Sequence, residues 1–400
     1  MQLITSGGAK RDCVACRPKM QCDKASGRIG FRIKQIFDHN KRLVPLMDTF
    51  KVAFSRPITC CLLFIACFSA EKACADDNQP ATDYVINIRS CDEIWIVSSR
   101  QLDPCNFSPQ QICVQQFCAG NWQLRAIEDL IHIHRNQIDK PLVMYVHGSR
   151  LDYYWARRRG LETYQDLTVA ATAMPPIRYV IWHWPSEDHD RMLINYPRIL
   201  RRSSQEGNVL GWFLAASGEG HRIGVLGYSL GVQVLGIACE VAHTRYAVTG
   251  GCQTVAIGAV TNCCWPQTAE QANAVLMGIG NMLVVENEQD KAVHAFEKAC
   301  KLRRPGSLLG LDGLEQFDDA NQMQRFDVTC IVNEKHQIHE YLKHACIARR
   351  VADHLVGREP SVETELILDN GSAIVDCEIF EHHEPGNPAS NTRRKPFASK

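Results

Sequence analysis

The sequence predicts an α/β protein built on a mainly parallel, doubly wound sheet. Three observations carry that expectation. From residue 84 onward, short Ile- and Val-rich runs alternate with segments of helical period. Pro141-Leu142-Val143-Met144-Tyr145-Val146 is a continuous apolar run, the pattern of a strand covered on both faces. The apolar stretch 222–238 breaks at Gly227-Tyr228-Ser229-Leu230-Gly231 and resumes with a different period. Strands separated by helices need crossover connections, and crossovers make parallel sheets.

The elements follow in order. Residues 84–88 and 93–98 read as early strands, and residues 121–135 space Trp122, Leu124, Ile127, Leu130 and Ile131 at intervals that suit a helix. Residues 141–146 and 178–184 are strands, with 208–216 helical between the second of them and a strand at 222–228. A helix over 230–242 precedes a strand over 254–261 and a helix over 269–277. The last units are a strand at 282–285, a helix at 291–301, a strand at 326–332 and a helix at 338–355. Residues 366–380 hold a candidate hairpin around Asp369-Asn370-Gly371, and 384–400 combine Pro, Gly, Asn and Ser as a loose tail does.

Composition bounds the function classes. Of 400 residues, 45% are hydrophobic and 22% charged, enough for a sizeable core and far from a disordered chain. The formal charge of zero hides an asymmetry: residues 1–75 hold 13 Lys/Arg and 5 Asp/Glu, leaving 31 basic and 39 acidic residues in the remainder. The mildly acidic body argues against a nucleic-acid partner.

Near residue 75 the chain reads as a secretory signal. Lys51 and Arg56 precede an apolar core from Ile58 to Ala70, and Ala73-Cys74-Ala75 supplies small residues at cleavage spacing. The core is shorter than the roughly 20 residues that span a bilayer. The expected organisation is a basic extension at 1–46, a signal at 47–75 with translation starting at Met47, a catalytic domain at 76–357 and a C-terminal extension at 358–400. Export to a periplasmic or extracellular location follows from that pattern. Twelve of the 19 cysteines lie beyond residue 76, which suits disulfides in an exported chain, with Cys91, Cys105, Cys113 and Cys118 as a local cluster. Cys13, Cys16 and Cys22 lack the second half of a zinc site.

Chemistry concentrates at Ser229. Glycines on both sides let a strand turn sharply into a helix, projecting the serine hydroxyl above the sheet beside a helix N-terminus. The bare G-x-S-x-G pattern is weak, and its strand-to-helix setting gives it force. Asp290 follows the strand at 282–285 and stands at a helix entry, where an N-cap role competes with a catalytic one. His336 and His339 follow the last strand.

Val146-His147-Gly148, Trp182-His183-Trp184-Pro185-Ser186 and the elbow together resemble the α/β-hydrolase superfamily, and within it bacterial serine hydrolases of unassigned substrate. The resemblance covers about residues 90–355. It implies a triad in the order serine, acid, histidine, with Asp290 as the acid and Glu286 as its alternative. His339 is favoured as the base because it precedes a tyrosine and an apolar helix, with His336 as the alternative. The oxyanion donors would be the amide of Leu230 and one from the loop around Gly148 and Ser149. His147 reads as an orienting residue. The expected reaction is hydrolysis of a small-molecule ester or a lipid through an acyl-enzyme, without a cofactor: no G-x-G-x-x-G follows the first strand and no Walker motif is present. A catalytically silent domain of the same fold, used for binding or scaffolding, is the competing expectation. Asp152-Tyr153-Tyr154-Trp155 followed by three arginines reads either as a solvated helix start or as a contact for an anionic group or a membrane surface.

Overall fold

The computed structural model describes residues 87–103, 107–187, 192–218, 222–248, 251–261, 269–301 and 322–358. All of them lie in the compact unit that runs from Ala73 to Lys400. The expectations for residues 1–75, for 359–400 and for Cys105 lie outside the described residues, as does most of the strand expected over 84–88, whose described residues 87 and 88 belong to no strand.

The strands are β1 (Glu93–Ser98), β2 (Cys113–Cys118), β3 (Asn121–Arg125), β4 (Leu142–Val146), β5 (Arg178–His183), β6 (Ile223–Tyr228), β7 (Cys252–Ile257), β8 (Ile279–Glu286) and β9 (Met323–Asp327). They form one sheet in the order β3-β2-β1-β5-β4-β6-β7-β8-β9. Pairings from β1 through β9 across β5, β4, β6, β7 and β8 are parallel, and the β1–β2 and β2–β3 pairs are antiparallel. The predicted α/β class with a mainly parallel, doubly wound sheet therefore holds.

Nine α-helices are assigned among the described residues: α1 (Ile127–Asn136), α2 (Tyr153–Ala170), α3 (Met192–Ser217), α4 (Gly231–Tyr246), α5 (Ala269–Gly278), α6 (Lys291–Lys301), α7 (Thr329–Val332), α8 (Ile338–Leu342) and α9 (Ala345–Leu355). Side chains alternate across each strand, so one strand feeds two cores. In β4, Leu142, Met144 and Val146 pack with residues of α1, α3 and α4. Val143 and Tyr145 pack with α2, α8 and α9 on the opposite face.

Three expected elements differ. Residues 121–125 are a strand, because Ala119 and Gly120, at φ 49° and 84°, make a tight left-handed turn that folds them back on β2. Trp122 and Leu124 satisfy a period of two as well as a helical one, and the helix begins only at Ile127. The strand expected over 326–332 ends at Asp327 and is followed by the single turn α7. The helix expected over 338–355 is two helices, α8 and α9, broken at Lys343-His344. β2 carries no clear alternation and was not anticipated. Cys91 and Cys118 are free thiols, so neither joins the local disulfide cluster expected of them.

From β4 the chain crosses to β5 on one side, then returns past β4 to β6 on the other. At such a reversal the connections leave a crevice at the carboxyl ends of the strands. The residues after β4, β6, β7 and β8 meet there.

Candidate active site

Ser229 occupies the turn between β6 and α4 and is 7% exposed. Its φ of 53° is left-handed, a conformation that costs a non-glycine residue about 1–3 kcal/mol and persists only when the surroundings enforce it. They do so from both sides. The Ser229 N–H donates to the Ile257 carbonyl at 2.9 Å, and the Ser229 carbonyl accepts from the N–H groups of Val232 at 3.1 Å and Val260 at 3.2 Å. Close approach explains two glycines. A Cβ on Gly231 would run into the Val146 carbonyl, and one on Gly148 would sit 2.9 Å from the Ser229 Cβ.

The Ser229 hydroxyl lies 3.1 Å from His336 Nε2, and His336 Nδ1 lies 2.8 Å from Asp290 Oδ2. With its Nδ1–H donated to the carboxylate, the neutral ring leaves Nε2 to accept the serine proton. Asp290 also caps α6. Its Oδ1 accepts from the N–H groups of Ala292 at 2.9 Å and Val293 at 3.1 Å, while Oδ2 serves His336 and the Tyr341 hydroxyl, the latter at 2.8 Å. The N-cap and the partner of histidine, competing readings of the sequence, are the two oxygens of one side chain. Four donors compensate the burial of a carboxylate that is 1% exposed.

His336 is held through its backbone as well. The Asn287 side-chain amide donates to the carbonyls of Asn333 at 2.7 Å and Lys335 at 3.3 Å, and the Tyr228 hydroxyl donates to the His336 carbonyl at 2.8 Å. Asn333, at φ 55°, turns the chain back after α7 so that His336 reaches over the ends of β6 and β8. Gly258, at φ 52°, leaves room for the ring: a Cβ there would sit 3.2 Å from His336 Cε1.

This geometry corrects the expected base. His339 lies in the first turn of α8, where its Nδ1 is 3.1 Å from Asp166 Oδ2 on α2, and His336 is the residue at Ser229. The cause is the early end of β9 and the turn at Asn333, which advance the approach to the elbow by one helical turn. Glu286, the alternative acid, faces Arg325 of β9 at 3.5 Å. Tyr341, Asn287 and Tyr228 were not anticipated as partners of the site; their only sequence signal is proximity to Asp290, His339 and Ser229.

The loop after β4 approaches Ser229 from the other side. Its His147 is wholly buried, with Nδ1 2.7 Å from the Gly148 carbonyl and Nε2 accepting the Trp184 backbone N–H at 3.3 Å. Burial lowers its pKa to about 4, against the raising effect of the Gly148 bond, so the ring is neutral at physiological pH. The Trp184 indole N–H donates to the His147 carbonyl at 2.8 Å, and Trp182 and Trp184 are fully buried. Among the described residues, no hydrogen bond takes the N–H of Gly148, Ser149 or Leu230. The aromatic and arginine-rich stretch beyond this loop opens α2: Asp152 caps it by accepting from the Trp155 N–H at 2.8 Å, Arg158 and Arg159 pair with Glu162, and Arg157 covers the Trp122 ring.

No protein-family model matches the chain, and no curated protein matches it. Among solved structures it is similar to one titled "Structure of esterase Est22", with 14% sequence identity and a TM-score of 0.29 over 75% of this chain and 88% of that chain.

Proposed function

We propose that the chain is a serine hydrolase that cleaves an ester through an acyl-enzyme on Ser229, with His336 as the base and Asp290 as the carboxylate that orients it. One observation carries the reading: a serine held in a left-handed turn has its hydroxyl 3.1 Å from an imidazole whose other nitrogen is 2.8 Å from a buried carboxylate. Scaffolding requires neither the backbone strain nor this alignment.

In the proposed reaction the Ser229 Oγ attacks the ester carbonyl carbon while its proton passes to His336 Nε2. The charged ring is stabilised by Asp290 Oδ2. The carbonyl oxygen, now an anion, takes the Leu230 N–H and an N–H from the loop of Gly148 and Ser149. Collapse expels the alcohol, which takes the proton from His336. Water then repeats the sequence on the acyl-enzyme and releases the acid. The substrate class is a small-molecule ester or a lipid, and export through a signal at 47–75 is part of the proposal, supported by the sequence pattern alone.

A fluorophosphonate probe tests the reading. Wild type is expected to label and to hydrolyse p-nitrophenyl butyrate, and Ser229→Ala to do neither while remaining folded. Folded wild-type protein that neither labels nor turns over would leave the binding or scaffolding reading standing instead.

A further inference from the structure

We infer that Arg150 selects the substrate: the site at Ser229 takes an ester that carries a negatively charged group, and the Arg150 guanidinium binds that group. The inference rests on the proposed acyl-enzyme chemistry at Ser229 and names the substrate class that this chemistry leaves open.

The backbone gives the first sign. Arg150 has a φ of 70°, a left-handed conformation that glycine adopts freely and a long side chain does not. Among the described residues, the other non-glycine positions of this kind are Ala119, Ser229, Ala247 and Asn333. Ala119 turns the β2–β3 hairpin and Ala247 ends α4, whereas Ser229 is the nucleophile and Asn333 turns the chain that brings His336 to it. Arg150 is the long, charged member of the set. A glycine would close the same turn without strain, and strain of this kind collects at sites that bind and react.

Ser186 imposes the conformation. The Arg150 N–H donates to the Ser186 carbonyl at 2.8 Å, and the buried Ser186 hydroxyl accepts from the Leu151 N–H at 3.2 Å and donates to the Leu151 carbonyl at 3.1 Å. Backbone groups on both sides of the Arg150 Cα are thereby fixed, while its side chain is exposed. Gly148, two residues earlier, lies against Ser229, with room for no Cβ between them. Two peptide units span at most about 7.6 Å, so the Arg150 side chain starts at the rim of the crevice that holds the nucleophile.

Neighbouring carboxylates are committed elsewhere. Glu187, next to the clamp, pairs with Arg100. Asp152 accepts from the Trp155 N–H as the cap of α2, and Glu162 takes both Arg158 and Arg159. Among the described residues the Arg150 side chain has no hydrogen-bond or ion-pair partner. A guanidinium is a planar fork of donors that matches an anionic oxygen pair, and a fixed backbone beneath it reduces the ordering that binding requires. A cation kept only for solvation needs neither the clamp nor the left-handed turn.

Substrate pairs of equal size test the inference. Mono-p-nitrophenyl adipate and its terminal amide differ by a charge on the acyl side, and 3-carboxyphenyl and 3-carbamoylphenyl butyrate differ by one on the alcohol side. In one pair, wild type is expected to favour the charged member by about tenfold or more in kcat/KM, the scale of one charge-assisted contact. That ratio should fall to about 1 in Arg150→Gln and to an intermediate value in Arg150→Lys, which keeps the charge without the fork. Raising NaCl from about 0.05 to about 0.5 M should lower the ratio in wild type and leave it unchanged in Arg150→Gln. Arg150→Gly should lose the ratio as well, yet melt above wild type, because glycine adopts the turn without strain. A wild-type ratio near 1 in both pairs, or a ratio that survives in Arg150→Gln and Arg150→Gly, would overturn the inference. The pair that responds shows whether the charged group lies on the acyl or the alcohol side. Wild type that hydrolyses both members of each pair equally fails this inference alone, whereas wild type that hydrolyses none of them and does not label with a fluorophosphonate fails the hydrolase reading.

Discussion

Two histidines three residues apart each place Nδ1 against a buried aspartate, His336 on Asp290 at 2.8 Å and His339 on Asp166 at 3.1 Å. Their side chains are 23% and 31% exposed, and the aspartates 1% and 2%. By pairing and burial the two are nearly equivalent. They differ in their surroundings: His336 Nε2 meets a serine held in a strained turn, whereas His339 joins α8 to α2. A histidine–carboxylate pair is thus not in itself a sign of catalysis. The decisive contact is on the opposite ring nitrogen, and that contact is set by the backbone that carries the residue.

Alanine at each histidine gives the largest contrast. His336→Ala is expected to reduce kcat on p-nitrophenyl butyrate by about 10⁴-fold or more, because the serine loses its proton acceptor. His339→Ala should stay within about threefold, as for a substitution outside the reacting groups. Comparable losses in steady-state assays of both variants would erase the distinction between the pairs.

Asp290 sharpens it, since one carboxylate serves both the cap of α6 and His336. Asparagine caps a helix about as well as aspartate but no longer anchors the correct histidine tautomer. Asp290→Asn should therefore lose about 10⁴-fold in kcat while unfolding close to wild type in a thermal melt. Asp290→Ala removes the cap as well and should unfold about 1 kcal/mol more easily than Asp290→Asn. A melt in which asparagine and alanine are equally destabilised would show that Oδ1 does not cap the helix.

What was legible in the sequence divides along the same line. The elbow was legible because its pattern is local: Gly227 and Gly231 flank Ser229 within five residues, although the Val146 carbonyl that excludes a Cβ from Gly231 belongs to another strand. Asp290 was legible by its place after a strand, although its two roles read as alternatives. The choice between His336 and His339 was not. It depends on β9 ending at Asp327 and on Asn333 adopting a left-handed φ, both of which follow from long-range packing. The β2–β3 hairpin escaped for a related reason. The spacing of Trp122 and Leu124 fits two periods, and only the turn at Ala119-Gly120 separates them.

A third buried carboxylate shows what happens without a histidine or a helix terminus. Glu206 accepts from the Trp182 indole at 2.9 Å and is buried, so desolvation pushes its pKa up to about 7, against the hydrogen bonds from Ser99 and Trp182. The native state then keeps a proton that the unfolded chain releases above about pH 4.5, so this group's contribution to stability falls as pH rises from there to about 7 and is level beyond. Glu206→Gln, which cannot ionise, should be more stable than wild type by about 3 kcal/mol at pH 8 and similar to it at pH 4. Urea melts at the two pH values measure the difference, and a gain independent of pH would mean that Glu206 is not held neutral.

The smallest effect belongs to the pair that lacks a serine. In Asp166→Asn the amide oxygen still accepts from His339 Nδ1, so the hydrogen bond between α8 and α2 survives and only the charge is lost. Stability should fall by about 1 kcal/mol, the scale of one modest hydrogen-bond change, and kcat should stay within about twofold. The twofold limit is informative because α8 begins two residues after His336. If anchoring α8 to α2 were what aligned His336 with Ser229, Asp166→Asn would lower kcat together with stability. Independence of the two measurements would locate the alignment in Asn287, Tyr228 and Asp290, which grip the loop directly.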